Sequence, residues 1–164
     1  MSPYGVSRRV ALLGALGLSG SVRAQSAAAA LPLSRDLPAE GAAALRRGQA
    51  LVVLVSLHGC VYCERVRRSY LLPLLAQGQA VVQIDMNSAA ILVDFQQRTT
   101  AHEELVRRWQ IKLAPTVLFL GPGGQELAER MEGAYQADFY GAYLEQRLTA
   151  ASQRIAERAR SQKK

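Results

Sequence analysis

Metal-ligating residues are scarce in this chain, which holds two cysteines and two histidines in 164 residues. With so few, no second ligand pair is spaced to complete a zinc site around the cysteines. Tryptophan occurs once and phenylalanine three times. No aromatic residue interleaves with the bases crowding the end of the chain, Arg154, Arg158, Arg160, Lys163 and Lys164. The mixed stacking and charge of a nucleic-acid surface is therefore missing. The apolar run Val10-Ala11-Leu12-Leu13-Gly14-Ala15-Leu16-Gly17-Leu18 is too short to cross a bilayer comfortably. No cysteine follows it closely, so a lipid anchor there is not indicated, and no internal repeat occurs.

What is present fits one ordinary domain with extras. Hydrophobic residues make up 49% and charged residues 20% of the chain, enough for a globular core. The start is different in character. Arg8-Arg9, the short apolar run and the small-residue exit Val22-Arg23-Ala24 make residues 1–24 an export signal cut after Ala24; an uncleaved anchor is the other reading. Ser7-Arg8-Arg9 matches part of a twin-arginine signal, and a Sec signal fits equally. Either route leads out of the cytoplasm, in bacteria to the periplasm. Loss of Arg8, Arg9 and Arg23 lowers the formal charge from +7 to +4. The terminal bases read as a solvated helix end, 151–164, its cations suited to the helix dipole. Weak attraction to an anionic membrane surface or an acidic partner stays open.

Residues 25–36 read as a linker that is alanine-rich as far as Leu33, followed by a domain over 37–150. Asp36 precedes Leu37-Pro38 and caps a helix ending near Gly48. Ala50–Leu57 is a continuous apolar strand covered on both faces. A helix runs from Val61 to about Leu75, kinked or cut short by Pro73. Ala80–Asp85 is a second strand, parallel to the first. Residues 87–99 are hard to read, with Ile91–Phe95 a short strand or an apolar flap. Thr100-x-x-Glu103 is a capping box opening a helix with Leu105, Val106 and Trp109. Pro115–Leu120 is a third strand, Gly121–Gly124 a turn, and Gln125–Glu132 the returning hairpin strand. A long helix over Asp138–Ala159 closes the chain, with Phe139, Tyr143, Leu144 and Leu148 at core spacing. The class is α/β.

The chemistry concentrates at Cys60-Val61-Tyr62-Cys63, between a strand and a helix start. Unpaired N–H groups and the helix dipole favour a negative charge there. A thiol so placed ionises more easily than a free one at about 8.5, and the thiolate is the attacking species. Cys63, one turn on, can close a disulfide with Cys60, which reads as a reversible redox pair. A purely structural disulfide is the alternative, but so small a loop stabilises little.

The strand before Cys60-x-x-Cys63, the run Leu113-Ala114-Pro115-Thr116-Val117-Leu118-Phe119, and Gly121-x-Gly123-Gly124 followed by Glu132-Gly133-Ala134 together resemble the thioredoxin superfamily. The resemblance covers roughly Leu37 to Leu148, and is narrowest to exported bacterial members acting on protein thiols. It implies a central mixed sheet flanked by helices, a C-terminal hairpin and a long closing helix. It also implies a cis peptide at Pro115, with the backbone of Ala114 offered to a substrate strand beside the sulfurs. Read from the residues alone, Pro115 could equally start a strand in trans. The chain departs from thioredoxin in three places. Gly59 replaces the tryptophan before the first cysteine, Val61-Tyr62 replaces Gly-Pro, and Leu54 stands where a buried aspartate usually serves the second cysteine.

The leading expectation is a periplasmic protein thiol–disulfide oxidoreductase, working as a reductase fed by a membrane thiol-reductant donor and needing no cofactor. Cys60 would be the nucleophile and Cys63 the resolving thiol. His58 would stabilise the thiolate or shuttle a proton, or sit idle on the surface, and Tyr62 would shape the substrate groove or merely pack. Arg65, Arg67 and Arg68 would form a solvated face with Glu64 and Arg68 paired, or steer acidic substrates. Trp109, Phe95 and Phe119 are expected in the core, Asp85 in a turn, and His102 in a first helical turn without a role. The competing readings are a Cu(I)-binding metallochaperone using the two thiolates and His58, and a non-catalytic thioredoxin-fold binding module.

Overall fold

Six consecutive residues of one strand, Leu51–Ser56 (β1), are all buried, so this strand lies at the centre of the fold. Side chains alternate across a strand, and β1 feeds two cores. Val52 and Leu54 join Val66, Leu71, Phe119 and Tyr140 on one face, while Leu51, Val53 and Val55 join Leu37, Leu105 and Val106 on the other. The computed structural model describes residues 30–134 and 138–161. The expected export signal, Lys163 and Lys164 lie outside the described residues.

Leu37–Arg46 (α1) is capped by Asp36, whose Oδ1 accepts the Ala39 N–H at 2.8 Å. Val61–Val66 (α2) follows β1, then a π-helical turn at Arg67–Leu71 and Leu72–Ala76 (α3). Pro73 does not cut the helix short, but the regular winding is interrupted just before it. The wider turn precedes the proline, which falls in the first turn of α3, where its missing N–H is harmless. Val81–Asp85 (β2) pairs parallel to β1. Thr116–Leu120 (β5) pairs antiparallel to the other side of β1, giving the order β2-β1-β5-β6 with Met131–Glu132 (β6) at the margin.

Between β2 and β5 the chain departs from its local signals. Ile91–Val93 (β3) and Thr99–Ala101 (β4) form a separate antiparallel hairpin. Thr100 is therefore a strand residue, the capping box does not form, and His102–Arg108 (α4) starts from Ala101 with no side-chain cap. Strand pairing has overridden a helix-start motif. Asp94 closes the hairpin. Its buried carboxylate accepts the Gln96 and Arg98 N–H groups, each at 2.9 Å, and pairs with Arg98 and Arg108. Phe95 and Trp109 are partly buried against the core and Phe119 is fully buried.

The expected strand over Gln125–Glu132 shrinks to a bridge between Leu120 and Glu126 and the two residues of β6. Leu127 and Ala128 turn into the core between them. Tyr140–Ser161 (α5) keeps Leu144 and Leu148 of the expected inward face and turns the other two outward. Tyr140 and Leu144 are buried, whereas Phe139 and Tyr143 are 55% and 47% exposed. Ala151 is buried and Ile155 packs on the core, so α5 stays docked past residue 150. Residues 31–36 of the expected linker are also part of the fold. Leu31 is buried, Gln83 N–H donates to Pro32 O and Ser34 N–H to Gln83 O, both at 2.8 Å.

Candidate functional site

Strand register gathers the loops at one end of the sheet. Ser56, the last residue of β1, is paired with Asp85, the last of β2, and its neighbour Val55 with Thr116, the first of β5. The loop after β1 carries Leu57 to Cys60, and the loop before β5 carries Ala114 and Pro115. Gly133 of the chain leaving β6 donates its N–H to Pro115 O at 2.7 Å. Four stretches distant in sequence thus meet beyond the same strand ends.

Cys60 is the N-cap of α2. Its Sγ accepts the Cys63 N–H at 3.0 Å and is bonded to Cys63 in a disulfide spanning 5.2 Å between Cα atoms. Gly59 carries a φ of 73°, the left-handed conformation that favours glycine, which accounts for a glycine before the first cysteine. Cys60 is partly exposed and Cys63 fully buried. On the sheet side, Leu54 is fully buried in the same apolar cluster as Val66 and Leu71. The Ala114–Pro115 peptide is cis, Pro115 is buried, and the Thr116 hydroxyl donates to Leu113 O at 2.7 Å, closing the turn that presents them.

His58 and Cys60 line one cleft of about 620 Å³. Tyr62 and Val61 stand on the exposed start of α2, at 59% and 73% exposure, and line no face of the core. Ala114 and Pro115 lie outside that cleft. Among the described residues no cluster of three His, Cys, Asp or Glu side chains could hold a metal ion, and no helix is long and apolar enough to cross a membrane.

The floor of the cleft is a polar network that sequence reading did not assemble. Arg67 is only 14% exposed and fixed by three elements. Its Nε donates to Gln83 Oε1 at 2.9 Å, its Nη2 to Ser56 Oγ at 3.0 Å, and its Nη1 to Glu64 Oε2. Gln83 Nε2 in turn donates to Asp85 Oδ1 at 2.6 Å. Arg68 Nε holds the other Glu64 oxygen at 2.6 Å. Arg67 is therefore a clamp between the site helix and both central strands, not a member of a solvated face. The only available signal was indirect: polar Ser56 and Gln83 inside otherwise apolar strands. Asp85 ends β2 as expected, and its N–H donates to Nδ1 of His102 at 3.1 Å. His102 is 1% exposed and its Nε2 meets Ser34 O at 3.0 Å, contacts that require the neutral ring with the proton on Nε2. The expectation that His102 is idle is thus corrected. It ties α4 to the end of β2 and to the amino-terminal segment.

The family model described as a thioredoxin-like domain matches residues 37–148. Comparison with curated proteins finds no match. Solved structures similar to this chain include a thioredoxin from Thermus thermophilus at 20% identity, covering 71% of this chain and 87% of that one with a TM-score of 0.48. A thioredoxin-fold protein from Helicobacter pylori is 14% identical over 68% and 86% of the two chains, at 0.44. The periplasmic thioredoxin SoxS from Paracoccus pantotrophus is 17% identical over 63% and 99%, at 0.41.

Proposed function

Because the chain belongs to the thioredoxin-like domain family, we propose that it is an exported thiol–disulfide oxidoreductase acting on protein substrates, and that it runs as a reductase in the periplasm. The observation that carries this is the asymmetry of the pair. Cys60 is partly exposed at a helix N-cap and receives a backbone N–H, while Cys63 is buried behind it. A charge forming on Cys60 meets a donor already in place.

In the reducing direction the Cys60 thiolate attacks one sulfur of a substrate disulfide. The substrate S–S bond breaks, one substrate thiolate leaves and takes a proton, and Cys60 is joined to the other sulfur. Cys63 then loses its proton and attacks Cys60 Sγ. The mixed disulfide breaks, the second substrate thiol is released, and the Cys60–Cys63 disulfide remains. Two electrons from a membrane thiol-reductant donor, with two protons, return the pair to the dithiol. His58, beside Cys60 in the cleft, would stabilise the thiolate. Ala114 and Pro115 would present backbone to the substrate, with Tyr62 bordering the groove. Support for export is the basic-apolar-small pattern of residues 1–24.

The test is turnover of a protein disulfide with a thiol donor. Cys60→Ser abolishes it, and Cys63→Ser accumulates a substrate adduct on Cys60. A reduction potential at or below the glutaredoxin range, about −200 mV or lower, suits a reductase. A much more oxidising value overturns the direction, and unchanged turnover by Cys60→Ser overturns the enzyme.

A further inference from the structure

The cleft beside Cys60 carries more positive charge than its own acids neutralise. Glu64 is engaged twice, by Arg67 Nη1 and by Arg68 Nε, and one carboxylate between two guanidiniums leaves one charge uncancelled. Arg65 also lines the cleft, is exposed, and has no ion pair among the described residues. The other acid lining the cleft, Asp85, is half-buried and held by the Gln83 amide, beside buried Ser56 and Gln83. Acid and amide therefore make the floor. The rim is cationic: the Arg68 side chain is 67% exposed and its Nη groups make no hydrogen bond among the described residues, beside Arg65. At about 620 Å³ the space suits a side chain with flanking backbone. Ala114 and Pro115 do not line it, so the edge proposed for a substrate strand is a different surface.

We propose that this cleft is a subsite for a carboxylate-bearing segment next to the substrate disulfide, so that the protein prefers acidic substrates. This rests on the oxidoreductase reading above. The carboxylate meets Arg65 and Arg68 at the rim while the neighbouring sulfur reaches Cys60. The shared chemistry is a carboxylate close to a disulfide, whether an acidic side chain of a polypeptide or a group on a small disulfide.

The test uses the purified reduced chain and three peptides of equal length with one internal disulfide, flanked by Glu, Gln or Lys. A small aromatic dicarboxylate disulfide and a neutral small disulfide form a parallel arm. Single-turnover rates at low salt should favour the Glu peptide over the Gln peptide about five- to tenfold, from two partly exposed charge pairs, with the Lys peptide slowest. In about 1 M salt, where the screening length is about 3 Å, the preference should fall towards one. In the double variant Arg65→Gln/Arg68→Gln it should fall within about twofold. The same preference in the small-molecule arm supports a carboxylate sufficing alone, and preference confined to peptides supports a polypeptide segment. Equal rates on Glu and Gln peptides overturn the subsite, as does a preference that survives the double variant. Failure to reduce any peptide or small disulfide instead overturns the oxidoreductase reading beneath it.

Discussion

Replacing Arg67 with methionine keeps most of the side-chain volume and removes every donor, so the loss is electrostatic and not a cavity. Ser56 and Gln83 are 1% and 9% exposed, and each loses its guanidinium partner. A buried polar group left unpaired costs about 1–3 kcal/mol. Glu64 keeps Arg68 and is 42% exposed, so its share is below about 1 kcal/mol. The expected destabilisation is about 2–7 kcal/mol, a large part of the roughly 5–15 kcal/mol that holds a domain together. Arg68→Met removes a charge from the same Glu64 at the exposed rim and should cost under about 1 kcal/mol. Arg67→Lys should fall between them, because one ammonium cannot span three acceptors on three elements. Urea unfolding of the oxidised proteins, read as midpoint shifts at constant slope, measures all three. Equal losses for Arg67→Met and Arg68→Met refute the clamp, as does a loss under about 1 kcal/mol for Arg67→Met.

Gly124 has a φ of 83° and a Cβ there would sit within 3 Å of the Phe95 ring, whereas Gly123, with a φ of 68°, faces open space. In thermal or urea unfolding, Gly123→Ala should therefore cost about 1–2 kcal/mol from backbone conformation alone, and Gly124→Ala about 1–3 kcal/mol more, relieved in part by Phe95→Leu. Burial pushes Asp94 up, but the Arg98 and Gln96 N–H groups and the Arg98 guanidinium outweigh it and hold its carboxyl below the ordinary range. Its stabilisation is present above the unfolded carboxylate pKa of about 3.9 and is lost as pH falls through the lowered folded value. Asp94→Asn should thus cost about 2–3 kcal/mol at pH 7, with the gap to the parent closing below about pH 4 in acid unfolding curves. His102→Phe leaves the Asp85 N–H and Ser34 O without their ring partner, and hydrogen exchange should show earlier opening of both segments with a loss of about 1–3 kcal/mol.

Local features were legible where physics is local. The redox pair could be placed on an N-cap because a strand, a loop glycine and a helix start are written consecutively over Ala50–Glu64. Both central strands were readable because continuous burial leaves an uninterrupted apolar run. The misplaced features depend on partners far along the chain. Arg67 looks like a surface residue until Ser56, 11 positions away, and Gln83, 16 away, fold beneath it. His102 finds its acceptor 68 residues off. Thr100-x-x-Glu103 is a valid helix start that lost to pairing between Leu92 and Thr100. In α5 the expected face held for Leu144 and Leu148 and failed for Phe139 and Tyr143. Tyr140 is buried in place of Tyr143, and two residues of the same type three positions apart give no local signal to choose between them.

The backbone between Leu31 and Asp36 lies alongside β2 and passes Val93, which donates its N–H to Arg35 O at 2.9 Å. Removal of everything upstream of Leu31 takes away none of these bonds. A cut a few residues later strips the β2 margin, removes the Ser34 O that meets the buried His102 ring and exposes an unpaired strand to other chains. In a truncation series, chains that begin at or before Leu31 should stay folded, and those shortened past it should be the ones that aggregate.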